Sequence, residues 1–160
     1  MIDELDAQKK LLDSLSNYVI LIGVVSKDAK RKTKKTVAKV GITNAQLMFI
    51  HENGSPLRNI PARPVLEMTI KWAQTQFDEV LNTCFEGILN GWEKAELELE
   101  LNKLCIRMEE YARDIIYSND GRLVKNSPAV ARRKKGNHPL FDTGELARSI
   151  TCYLSTENNM

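Results

Sequence analysis

Near the end of the chain, Asp142-Thr143-Gly144 is the one run whose residue types spell a catalytic motif. With Leu140-Phe141 before it, the run matches the apolar-apolar-Asp-Thr-Gly pattern of an aspartic peptidase. Such an enzyme needs two carboxylates sharing a proton: the ionised one activates water and the other polarises the carbonyl. A small homodimeric peptidase supplies one Asp from each chain. The surroundings oppose that chemistry. A peptidase follows its motif with the β-structure of flap and cleft, yet only sixteen residues follow Gly144, and the middle of the chain has helical periodicity. A second reading needs no chemistry. Asp142 precedes Glu145 by three, the spacing of a capping box. Its carboxylate would accept from the amide of Gly144 or Glu145, a cap worth about 1 kcal/mol. Both acids would then lie at the positive end of a helix dipole.

The other chemistry-bearing residues are sparser. His51-Glu52 looks like the start of a zinc-peptidase helix, but the second His would fall at Ser55. His138 stands alone. The glycines form no phosphate-binding loop, and no nucleophilic triad stands out. Cys84, Cys105 and Cys152 form no Cys-x-x-Cys pair, so neither a disulfide framework nor a zinc site is expected and a reducing compartment is the simplest setting. Cys84 and Cys105 fall on or beside apolar helix faces and read as small core residues. No catalytic residue, metal or cofactor is expected. Trp72 and Trp92 lie off or at the edge of the apolar stripe, available to a partner surface.

Charge points elsewhere. The net charge of +2 does not by itself imply nucleic-acid binding. Residues 27–39, however, hold seven cations, Lys27, Lys30, Arg31, Lys32, Lys34, Lys35 and Lys39, against Asp28 alone. Like charges with little apolar surface do not fold on themselves, so a mobile loop over 26–39 is expected. Its functional reading is contact with the phosphates of double-stranded DNA, non-specific and strongly salt-dependent. No aromatic residue interleaves the lysines, which argues against stacking on single strands. A second basic run is Arg132-Arg133-Lys134-Lys135, and residues 93–101 are acidic. The acidic start does not fit a signal peptide. No apolar run reaches the ~18–20 residues that span a bilayer.

The elements that must position these residues follow from periodicity. Residues 3–14 read as a helix, and Tyr18 to Val25 as a strand buried on both faces, or nearly so. Thr36 to Ile42 could pair with it as a hairpin around the basic loop. Thr43 or Asn44 caps a helix running to about Asn53, with Gly54 as its stop and Leu47, Ile50 and Phe49 as apolar positions for its buried face. Three prolines between Ser55 and Pro64 require an extended connector, with Pro64 in the first turn of the next helix. Leu66, Ile70, Ala73, Phe77, Leu81, Cys84 and Ile88 then step by fours and threes along one helix face. So do Leu97, Leu101, Leu104, Met108, Tyr111 and Ile115. These are an antiparallel pair turning at 90–93, or one helix weakened at Gly91. A short helix can start at Ser127 with Pro128 first, and Ile150 to Ser155 reads as a last strand. The sum is one α+β domain over 1–160: a small, mostly antiparallel sheet packed against two long helices, with a mobile basic hairpin loop.

Three blocks together resemble one family, the phage virion morphogenesis proteins of the tail-completion or neck type. The first is Ile50-His51-Glu52-Asn53-Gly54 with Ile60-Pro61-Ala62-Arg63-Pro64-Val65-Leu66, similar to the family's His-Glu-x-Gly and Ile-Pro-x-Arg-Pro-Phe. The second, Asn126-Ser127-Pro128-Ala129-Val130-Ala131-Arg132-Arg133-Lys134, looks like its Ser-Pro-x-Thr-x-x-x-Lys. The third, Pro139-Leu140-Phe141-Asp142-Thr143-Gly144-Glu145-Leu146-Ala147-Arg148-Ser149-Ile150, is similar to Pro-Leu-x-Asp-Thr-Gly-x-Leu-x-x-Ser-Ile. They anchor a span from about residue 45 to 155. Val65 stands where the family has Phe, Val130 stands near an expected Thr, and nothing before residue 40 matches. The resemblance implies a non-enzymatic virion part at the head–tail junction. It would form or join a ring of copies, hexameric in expectation, between head-connector and tail proteins, with no membrane involved. An inward-facing basic loop would meet the genome end. The rival reading of that loop is a DNA-binding accessory protein.

Overall fold

A computed structural model describes residues 2–25, 42–134 and 137–156. The basic loop and the strand expected at 36–42 fall outside these residues, Ile42 apart. Along the chain run α1 (Ile2–Leu15), β1 (Tyr18–Val24), α2 (Asn44–Asn53) and a 3-10 turn at Pro56–Arg58. The long helices α3 (Val65–Leu89) and α4 (Lys94–Tyr117) follow, then α5 (Pro128–Lys134), α6 (Glu145–Arg148) and β2 (Ile150–Thr156). β1 and β2 pair as a two-stranded antiparallel sheet, and the class is α+β. Among the described residues no helix is long and apolar enough to cross a membrane.

The described residues group into two compact units. The first draws on 1–22, 70–108 and 152–160. Its core is one seam: Ala73, Val80, Cys84 and Ile88 of α3 meet Leu97, Leu101, Leu104 and Met108 of α4. Leu11, Leu12 and Leu15 of α1, Ile20 and Ile22 of β1, and Leu154 of β2 pack against it. The chain takes the hairpin option. Gly91 adopts φ +91°, the Trp92 amide donates to the Gly87 carbonyl at 2.9 Å, and the indole lies over Gly87. A Cβ on Gly87 would come within 2.1 Å of that ring. The Glu93 amide donates to the Glu96 carboxylate at 3.0 Å, opening α4. Leu99 is 60% exposed, so the alternation of Leu97, Leu99 and Leu101 is not a strand signal. Cys84 and Cys105 are buried, and burial pushes the Cys84 thiol up.

Three expectations need correction here. The buried row of α3 is Val65, Thr69, Ala73, Val80, Cys84 and Ile88, whereas Ile70 and Phe77 are 45% and 44% exposed. Thr69 can lie inside because its hydroxyl donates to the Val65 carbonyl at 2.8 Å. Strand β1 is half-buried at every residue, not enclosed on both faces. Neither Trp is held out for a partner: Trp72 packs against the core and Trp92 covers Gly87. At the start of β1, the Tyr18 hydroxyl donates to Glu98 at 2.9 Å. Burial first, then that carboxylate, pushes the phenol up to about 12.

The second unit draws on 23–69 and 109–151. Met48, Val65, Ala112, Ile115, Ile116, Leu123, Leu140, Leu146 and Ile150 are buried in it. Helix α2 starts with a complete capping box: Thr43 Oγ1 accepts from the Gln46 amide at 3.1 Å, and Gln46 Oε1 accepts from the Thr43 amide at 3.0 Å. Its buried positions are Asn44 and Met48; of the expected face, Leu47 and Ile50 are only half-buried and Phe49 is exposed. Arg113 of α4 bonds Glu109 at 2.6 Å and the Ile150 carbonyl at 2.9 Å, tying the start of β2 to the helix.

Candidate functional site

All three resemblance blocks lie in the second unit, and their contacts can be followed residue by residue. Gly54 ends α2 at φ +72°, a region that L side chains rarely adopt. A Cβ there would stand 2.8 Å from the Ala62 amide nitrogen and 2.9 Å from the Ile60 oxygen, so only glycine fits. The chain folds back through a Ser55–Ile60 bridge, with Asn59 left-handed at φ 49°. The returning Arg63 amide donates to the His51 carbonyl at 2.6 Å. Beside it, Glu52 caps the next helix: its carboxylate accepts from the amides of Leu66 at 3.1 Å and Glu67 at 2.7 Å. That satisfies two orphan donors and sets a negative charge at the positive end of α3. Pro64 precedes α3 and its carbonyl accepts from Met68 at 3.0 Å. It therefore sits at the cap, a place where its missing N–H costs nothing.

Arg63 is the centre of this knot. It is only 4% exposed. Its Nε donates to the Val124 carbonyl at 2.7 Å, and Nη2 donates to the Lys125 carbonyl at 3.1 Å and to Asn126 Oδ1 at 3.3 Å. Nη1 lies 3.5 Å from His51 Nδ1. Among the described residues no carboxylate pairs with it. Burial accordingly pushes its pKa down from the ordinary arginine value, with backbone dipoles in place of a counter-ion. Arg63 thus ties the first block to the second. Lys134 ties the second to the third, its Nζ donating to the Phe141 carbonyl at 3.1 Å, and Asn126 holds the residues just before the third: its backbone amide donates to Asn137 Oδ1 at 2.9 Å, and its Nδ2 donates to the His138 carbonyl at 3.1 Å.

The third block is pinned as firmly. His138 Nε2 lies 2.6 Å from the Ile116 carbonyl, which can only accept, so Nε2 carries the proton. The imidazole stacks on Phe141 at 4.8 Å, and Phe141 meets Tyr117 edge-on at 5.7 Å. Leu140 takes φ 57° and Gly144 φ 74°, so the chain reverses tightly between them. Arg148 Nη2 donates to the Thr143 carbonyl at 3.0 Å, and Ser149 Oγ donates to the Leu146 carbonyl at 2.7 Å. Leu146 is buried. Ser127 Oγ accepts from the Val130 amide at 3.5 Å, opening α5 with Pro128 as its first residue.

The capping box expected of Asp142 and Glu145 does not form. Gly144, left-handed, occupies the N-cap of α6 and makes no side-chain cap bond, and it is Thr143 Oγ1 that accepts from the Glu145 amide at 3.4 Å. Asp142 lies two residues too early for the role and is exposed. The Glu145 carboxylate instead accepts from Asn44 Nδ2 at 3.5 Å.

The blocks enclose a groove of about 350 Å³. Its apolar walls include Leu47, Ile60, Pro61, Leu140 and Leu146, and Arg63, Arg133 and Lys134 face it against the single carboxylate of Asp142. Lys134 Nζ donates to the Phe141 carbonyl at 3.1 Å. His51 also lines the groove, whereas Glu52 is engaged at α3. Among the described residues no group of three His, Cys, Asp or Glu side chains could hold a metal ion. The seven cations of the basic segment lie outside the described residues.

Sequence reasoning had Arg63 only as a motif letter and missed its partners. The available signal was a lone Arg between Pro61 and Pro64. Arg122 was missed as well. It bonds Asp114 at 2.5 Å and Asp120 at 2.6 Å, with its guanidinium 5.6 Å from the Tyr111 ring, which closes the turn after α4. The Arg122 amide, with its guanidinium, holds the Asp120 carboxyl below the usual carboxylate range.

Compared with protein-family models, curated proteins and solved structures, the chain matches none. The likeness to phage neck and tail-completion proteins rests on the three blocks alone.

Proposed function

We propose that this chain is a non-enzymatic structural part of a tailed phage particle at the head–tail junction, where copies form or join a ring around the DNA channel. One observation carries the reading. The three phrases that resemble the family interlock: Arg63 of the first bonds Asn126 of the second, and Lys134 of the second bonds the Phe141 carbonyl of the third. Their order along the chain is therefore matched by one physical unit, as a shared fold requires and a chance set of short matches does not. The motif residues each hold part of that unit together. Gly54 admits a backbone crossing, Glu52 caps α3, and Arg63 clamps residues 124–126. The Asp-Thr-Gly run serves as a reversal rather than a helix cap. The basic segment 27–39 would face the genome end and hold it by counterion release.

The test is a particle assembled without the protein. Filled heads and finished tails should accumulate separately, and electron microscopy of intact particles should find several copies at the junction. Normal joining in its absence would end the proposal. Replacing the seven cations with serine should cause genome leakage; salt-sensitive duplex binding by the monomer, with joining unaffected, would favour the accessory-protein reading instead.

A further inference from the structure

We infer that the groove between the three blocks receives the acidic α3–α4 turn of a second copy of this chain. The inference rests on the proposed ring of copies and names the surfaces that would make it. The groove carries three cations against one carboxylate, on walls about equally polar and apolar. Arg63 has five N–H donors. Three are used at 2.7–3.3 Å, while Nη1 has only the long 3.5 Å approach to His51. A buried cation with backbone dipoles but no counter-ion gains from an incoming carboxylate.

The α3–α4 turn presents the complement. Glu86, Glu93 and Glu96 are exposed there, with Leu89 and Leu99 67% and 60% exposed beside them. Lys94, the nearby cation, is already paired with Glu98 at 3.5 Å. The scale also fits. At roughly 30 Å³ per water, a groove of about 350 Å³ has room for one or two side chains. A DNA backbone would satisfy the cations, but a duplex does not enter so small a space. Groove and turn are different surfaces, so the contact is heterologous and repeats head to tail, closing into a ring where the rotation permits.

Two full-length variants test this by sedimentation velocity over a concentration series. Arg133→Glu leaves the groove with as many carboxylates as cations, and Glu93→Lys sets a cation among the turn's remaining acids. Both positions are exposed, and circular dichroism checks that each variant folds. Wild type should associate at low salt and dissociate as salt rises. Each variant alone should associate at least ~10-fold more weakly, because the charge attraction between groove and turn is removed or cut. An equimolar mixture should recover pairwise association, since the unchanged groove of the Glu93→Lys variant then meets the unchanged turn of the Arg133→Glu variant. The inference is overturned if wild type stays monomeric at the highest attainable concentration, if either variant assembles as wild type does, or if the mixture fails to recover. A monomeric wild type that is still required for joining heads to tails removes this contact and leaves the junction role standing. Self-association through these surfaces in a protein that particles do not need does the reverse.

Discussion

Replacing Arg63 should loosen the second unit more than any other single surface-remote change outside its apolar core. Arg63→Met keeps most of the side-chain length and removes the charge. Three acceptors then lose a donor: the carbonyls of Val124 and Lys125 and the Asn126 side chain. A stranded buried polar group costs about 1–3 kcal/mol. Val124 and Lys125 are exposed residues, so water can recover part of this, and removing a buried cation returns its desolvation cost. The net should be a loss of about 2–4 kcal/mol. In a chain of this size each kcal/mol lowers the melting temperature by roughly 2–4 °C, so a drop of about 4–16 °C is expected. Arg63→Lys keeps the charge but not the planar fork, and should lose about half as much. Thermal and urea unfolding give the magnitude, and hydrogen exchange gives the place: the amide of Asn126 should lose protection before the α3–α4 seam does. A double-mutant cycle with Asn126→Ala should show coupling above about 0.5 kcal/mol. A Met variant within ~0.5 kcal/mol of wild type, or additive effects of the two changes, would refute the clamp.

Gly54→Ala should cost at least ~2 kcal/mol, because a left-handed residue would also collide with two backbone atoms, whereas Gly91→Ala, left-handed in open space, should cost about 1–2 kcal/mol; denaturant titration separates them. The Tyr18 phenol, near 10 when unfolded, is pushed up to about 12 when folded. A raised folded value favours the neutral phenol, so its stabilisation is complete below pH 10 and is lost as pH rises towards 12. Unfolding curves across that window should show the fall, and Tyr18→Phe should flatten it; an equal fall in the variant would sink the assignment. Asp142→Asn should leave stability within ~0.5 kcal/mol, since the exposed carboxylate caps no helix. Loss of a measured peptidase activity in that variant, with the fold intact, would revive the aspartic-peptidase reading.

Much of the fold was legible because local chemistry and tertiary structure agreed. The 43–54 helix carries its own start and stop, Thr43 with Gln46 and then Gly54, and forms between those marks. The α3 and α4 periodicities are long enough to survive noise, and Asn90-Gly91 marks the break between them. The candidate site was legible only as letters. Nothing local in Arg63 says that its acceptors lie more than sixty positions later, because carbonyls carry no residue identity. The pairing of Glu52 with the next helix was hidden for the same reason: a cap supplied from the preceding helix leaves no capping spacing to read.

Two of the misplaced details, the α3 stripe and the Asp142 cap, have one physical origin. Both came from letting residue type stand for position. Ile70 and Phe77 are more hydrophobic than Thr69, yet Thr69 is fully buried, because a helical threonine satisfies its hydroxyl on its own backbone and then behaves as a small apolar residue. Asp142 and Glu145 have capping-box spacing, yet the spacing works only if the first residue is extended and the helix begins immediately after it. Here Leu140 and Gly144 are both left-handed, and the reversal they make uses up the residues between Asp142 and the helix. The glycine that made the run look catalytic is thus the reason its aspartate is not a cap. What the reversal does achieve is to put Asp142 on the rim of a groove whose other charged side chains are all cations. An acid in that place lowers the groove's net charge without closing it, so Asp142→Asn should tighten any carboxylate contact there while leaving stability unchanged. In sedimentation velocity the variant should associate at least as strongly as wild type. Weaker association would mean that Asp142 makes the contact itself.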